Sequence, residues 1–119
     1  MISKTIKIPI YGGSLTMILC DALKEVDEKY NFNDDLSNYK AVVFTNKDFP
    51  NVIKVAFEKG LNNAGIIARE SVYIVNIIFH RVGIKLDTKN DEAQAYLTQW
   101  VFDECYKFID KNKGFWDQM

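Results

Sequence analysis

The sequence predicts an α+β domain: a small, mostly antiparallel sheet of about four strands, packed on a buried helix and on a second long, C-terminal helix. Three observations carry that expectation. The first half alternates apolar and polar residues in short runs separated by Gly, Pro and Asn/Asp signals, as half-buried strands do. Residues 64–80 are apolar on nearly every side, the pattern of a helix enclosed by its domain. Residues 90–110 carry Ala93, Tyr96, Leu97, Trp100, Val101, Cys105 and Phe108 at helical i, i+3/i+4 spacing, with Glu104 beside Cys105. A chain of 119 residues has room for one core, so a single domain covering 1–119 is expected.

Residues 5–11 place Ile6, Ile8 and Ile10 on one side against Lys7 and Pro9, a first strand that Pro9 assigns to an edge. Gly12-Gly13 reads as a two-residue hairpin turn without the spacing of a phosphate-binding loop. Residues 14–20 form the second strand. Asp21 can cap a short helix over 22–30, whose Leu23 and Val26 face inward. The Asn- and Asp-rich residues 31–38 form a loop. Residues 40–45 are β-branched and aromatic, a third and central strand, and 52–57 form a fourth that ends before Gly60. Asn62 or Asn63 caps the enclosed helix, which runs to about Arg81 and stops at Gly83. Asp87 or Thr88 caps the last helix, and the tail from Lys111 is irregular, with Phe115 and Trp116 packed back on the domain.

A formal charge of −1 and scattered basic residues argue against general nucleic-acid binding or attachment to an anionic membrane. The longest apolar stretch, 74–79, is broken by Asn76 and is too short to span a bilayer. The N-terminal residues lack the continuous apolar run of a signal peptide, so a cytoplasmic protein is expected. Cys20 and Cys105 lie in apolar settings and read as buried free thiols rather than a disulfide.

The chemistry centres on Arg69-Glu70-Ser71-Val72-Tyr73. Arg69 and Tyr73 stand at i and i+4, one turn apart on one helix face. The spacing resembles the His-Glu-x-x-His helix of zinc metallopeptidases of the gluzincin kind. Arg69 and Tyr73 occupy the two His positions and Glu70 that of the general base. Glu92, within Asn90-Asp-Glu-Ala-Gln-Ala-Tyr96 on the next helix, matches the third ligand. Over residues 67–100 the chain resembles, more narrowly, small metallopeptidase-like proteins carried by bacteriophages and mobile elements. The resemblance implies a minimal zincin-like domain and, in the family, zinc as cofactor.

Here both ligand His are absent. The single His, His80, lies almost two turns beyond Tyr73 and cannot replace them. Arg69 stays protonated and would repel a cation, and without metal-bound water Glu70 has nothing to activate. No metal or other cofactor is therefore expected. The resemblance then implies a metal-free, catalytically inactive metallopeptidase-like protein that binds a protein or peptide partner. The alternative is a zinc-dependent peptidase or hydrolase whose parent form has His at positions 69 and 73. Arg and Tyr are each one base from a His codon, so natural loss and deliberate inactivation fit alike.

The same residues have a purely structural reading: Arg69, Glu70 and Glu92 form an ion-pair cluster that lets two carboxylates be buried, with Tyr73 as a core aromatic. Arg69 and Glu92 should then meet across the two helices. His80 reads as a surface residue near a helix end, and Asp34-Asp35 as a solvated loop pair. Trp100, with Phe115 and Trp116, reads as packing or as a patch for a protein partner.

Overall fold

The computed structural model describes residues 1–32, 35, 36, 38–60 and 63–112. Asp34 and the tail with Phe115 and Trp116 lie outside the described residues. The elements are β1 (Ile2–Lys7), β2 (Ser14–Cys20), α1 (Leu23–Tyr30), β3 (Ala41–Asn46), β4 (Phe49–Glu58), α2 (Ala64–Val82) and α3 (Glu92–Lys111). The α+β expectation holds: one four-stranded sheet in the order β1-β2-β4-β3, with the long helices α2 and α3 packed together.

The sheet is mixed. β1 runs antiparallel to β2 with Thr5 opposite Thr16, and their hydroxyls bond at 2.8 Å. β2 pairs parallel with β4, Met17 opposite Val55, and β3 pairs antiparallel with β4, Val43 opposite Val55. β4 is thus an interior strand and β3 an edge, the reverse of the expected central position for residues 40–45. Poor alternation in β4 has the cause usual for interior strands, cover on both faces. Ile53, Val55 and Phe57 are buried on the side of α2 and α3, while Ala56 faces α1. β3 looks equally apolar because α2 packs against it and Phe44 joins an aromatic cluster with Tyr30 and Phe32.

β1 begins and ends earlier than its alternation suggests. Pro9 and Ile10 belong to the turn, and the connection is a wide loop in which Ile8 N–H donates to the Gly13 carbonyl at 3.0 Å. Beneath one sheet face, Leu15, Met17 and Leu19 meet Ile74, Val75, Ile78 and Phe79 of α2 and Leu97, Val101, Cys105 and Phe108 of α3. On the other face Ile18, Cys20, Leu23, Val26, Leu36 and Ala56 form a smaller core under α1. Ala93 and Tyr96, expected on the inner stripe of α3, are instead exposed at its start.

The caps of α2 agree with expectation. The Asn63 side chain accepts from Gly65 N–H at 2.8 Å. Gly83, at φ 79°, closes the helix while Ile84 N–H donates to the Phe79 carbonyl at 2.9 Å. For α1 and α3 the expected caps are not formed. Ala22 and Asp91 hold the N-cap positions without side-chain bonds, and Asp87 instead accepts from Lys89 N–H in a local turn. Cys20 and Cys105 are free and buried. Among the described residues no helix is long and apolar enough to cross a membrane.

Candidate functional site

α2 carries the motif, and its position against the sheet separates the residues that the spacing had grouped. Ile67, Glu70, Ser71, Ile74, Val75, Ile78 and Phe79 are buried; Ala68, Arg69, Val72, Tyr73, Asn76 and His80 are exposed. Each residue turns about 100° around a helix, so Arg69 and Tyr73 stay together on the outer side while Glu70 turns in. The expectation of a helix enclosed all round is thereby corrected. Among the described residues, α2 is covered by the sheet, by α3 and, at its end, by the β1–β2 turn, which leaves its outer side open.

Arg69 and Tyr73 interact with each other rather than with a carboxylate. Arg69 Nε donates to the Tyr73 hydroxyl at 3.4 Å, and the guanidinium lies 5.7 Å from the ring centre. Tyr39, just ahead of edge strand β3, also acts electrostatically on Arg69. Among the described residues neither Arg69 nor Glu92 makes an ion pair.

Glu70 is 5 % exposed and sits at the α2–α3 contact, where its charge acts on Cys105. Burial raises its pKa above the ordinary carboxyl value, and the attraction of Arg69 only partly opposes this. Burial, with help from Glu104 and then Glu70, pushes the Cys105 thiol to about 12, so it is an inert core residue at neutral pH. The neighbouring Ser71 satisfies its hydroxyl by donating to the Ile67 carbonyl at 2.7 Å.

Glu92 does not join this group. It lies thirteen residues before Cys105 on α3, roughly 20 Å of helix rise away from that thiol. It lines a cleft with Pro9, Ile10 and Tyr11, the same turn that Arg81 grips from the last turn of α2. The expected convergence of Arg69, Tyr73 and Glu92, whether as a degenerate ligand set or as an ion-pair cluster, is therefore not formed. The connection 83–91 leaves the start of α3 beside the end of α2. Among the described residues no three His, Cys, Asp or Glu side chains gather where they could hold a metal ion.

The solvated state of Arg69 reverses one expectation about stability. An ion-pair cluster would make Arg69→Ala strongly destabilising. The observed exposure predicts no resolvable change, read by urea denaturation. A clear loss of stability would mean that the guanidinium neutralises Glu70 more closely than its solvated position allows.

Residue types and spacing gave no hint of Arg81. Its Nη2 donates to the Gly12 carbonyl at 2.6 Å and to that of Tyr11 at 3.4 Å, and its Nη1 to the Asn51 carbonyl at 3.4 Å. Tyr11 packs edge-on against Phe79, ring centres 5.9 Å apart. The β1–β2 turn is thus fixed to the end of α2. A basic residue in the last turn of α2 was visible in the sequence, but its partners lie near the other end of the chain.

No family model, curated protein or solved structure matches the chain.

Proposed function

We propose that the chain is a metal-free, catalytically inactive metallopeptidase-like domain that binds a protein or peptide partner. The observation that carries this reading is the solvated Arg69 guanidinium, held against Tyr73 with no ion-pair partner among the described residues, on a helix that packs beneath edge strand β3. An edge strand offers backbone donors and acceptors to an added extended segment. Arg69 offers a fixed charge and a planar set of donors to a carboxylate on that segment. The apolar remainder of the exposed α2 face, Ala68 and Val72, supplies surface for the same segment to cover. Glu70 supports the inactive reading: a carboxyl turned into the α2–α3 contact has no solvent water before it to activate. Its phage or mobile-element setting rests on the resemblance alone.

Nuclear magnetic resonance titration with two acetylated, amidated pentapeptides, Thr-Val-Glu-Val-Thr and Thr-Val-Gln-Val-Thr, tests the reading. The acidic peptide should shift amides of β3 and residues around Arg69, and Arg69→Ala should abolish its advantage over the neutral one. Retention of one zinc per chain after dialysis, lost in Glu92→Gln, would instead establish the metal-dependent alternative.

A further inference from the structure

The β1–β2 turn holds an arrangement that folding alone does not explain. Ile10 has φ 69°, in the left-handed region that β-branched residues avoid, and its side chain is 86 % exposed. It buries almost nothing in return. The turn closes locally where Tyr11 N–H donates to the Pro9 carbonyl at 2.7 Å across Ile10. It is held in place by Arg81, which bonds the Tyr11 and Gly12 carbonyls, and by Tyr11 anchored on Phe79. Strain maintained by surrounding bonds at an exposed side chain points to recognition.

Beside Ile10 lies a cleft of about 580 Å³, with Pro9 and Tyr11 on one wall and Ala93, Tyr96 and Leu97 of α3 on the other. Tyr96 is 68 % exposed, an aromatic ring standing in water at the rim. The charged group of the lining is the carboxylate of Glu92, and among the described residues it has no ion-pair partner and no Lys or Arg lines the cleft.

We propose that this cleft is a docking site for a segment of a partner protein that presents a large apolar side chain next to Lys or Arg. The apolar side chain would fill the space between Ile10 and Tyr96, and the neighbouring cation would reach Glu92. The charge of the lining selects the partner: an acidic segment would meet Glu92 with like charge, a basic one would neutralise it. Ile10 is rigid at its Cβ and fixed by the turn, so it loses little freedom on contact. This site lies at the opposite end of α2 from Arg69, so it stands whether or not that face binds a peptide.

The test uses the full chain and two acetylated, amidated tripeptides, Lys-Trp-Lys and Glu-Trp-Glu, followed by amide resonance shifts and thermal melting. The basic peptide should shift the amides of Tyr11, Ala93 and Tyr96 saturably and bind at least about tenfold more tightly than the acidic one. Ile10→Gly should weaken the basic peptide while melting at the same or a higher temperature, because glycine accepts the turn without strain. Glu92→Gln should narrow the difference between the two peptides. Equal binding of both peptides, shifts confined elsewhere, or no shift at millimolar peptide overturns the proposal. So does an Ile10→Gly chain that melts lower yet binds as before, since Ile10 would then serve the fold.

Discussion

Replacing Glu70 by methionine should raise the melting temperature and remove a fall in stability between acid and neutral pH. In the folded chain burial lifts the pKa of this carboxyl above the ordinary value. The unfolded chain releases the proton at the ordinary value. Between the two the folded state holds a proton that the unfolded state has lost, so stability declines as pH rises through that window. Above the folded pKa the full penalty of a buried carboxylate applies, and below the unfolded one it vanishes. Methionine has similar length, fills the α2–α3 contact and carries no charge. Its gain at pH 8 should be roughly 1–3 kcal/mol, with little gain at pH 4. Glu70→Gln removes the charge but keeps a polar group, and should gain less. Urea denaturation at both pH values decides the matter. Equal stability of the methionine variant and the parent at pH 8 would show that Glu70 has a compensating partner.

Gly13→Ala should be the most damaging small change in the turn. Gly13 has φ 80°, which costs an L-residue about 1–2 kcal/mol. A methyl group there would come within 2.5 Å of the Asn51 carbonyl oxygen and 2.6 Å of Arg81 Nη1. The Asn51 oxygen is β4 backbone and cannot yield without moving the strand. If Arg81 moves instead, the bonds that secure the turn are lost, at roughly 1.5–3 kcal/mol for a charged donor. The expected destabilisation is about 3 kcal/mol or more. Gly12→Ala is the matched control: φ is 76° but open space surrounds the new methyl, so only the conformational penalty applies. If thermal melting finds the two variants equal, close packing at Gly13 contributes nothing.

The sequence made some features legible because they are local. Asn63 and Gly83 bound α2 through contacts within a few residues of themselves, so their chemistry announces both ends. The strand over Ser14–Cys20 was equally plain. Exchange of edge and interior between β3 and β4 was not legible. Both runs are apolar, and pairing order depends on partners far along the chain. The site shows the same division. Spacing alone correctly put Arg69 and Tyr73 on one helix face. It could not say that this face is the outer one, nor that residues 83–91 leave Glu92 beside the β1–β2 turn. Asp91 and Glu92 begin α3 as expected within a couple of residues, yet where that beginning stands is a tertiary fact.

The parallel register between β2 and β4 has a consequence for how the chain assembles. β1 with β2, and β3 with β4, are each antiparallel neighbours in sequence that can zip from their own turns. Met17 meets Val55 only after the intervening chain, α1 included, has been brought round. The sheet is therefore two hairpins joined along one seam, and closing that seam carries the largest loop entropy in the sheet. α2 lies on the β3 hairpin, while α3 contacts β2 and packs on α2. The helix pair thus covers the seam on one face, while α1, which contacts both β2 and β4, already spans it on the other.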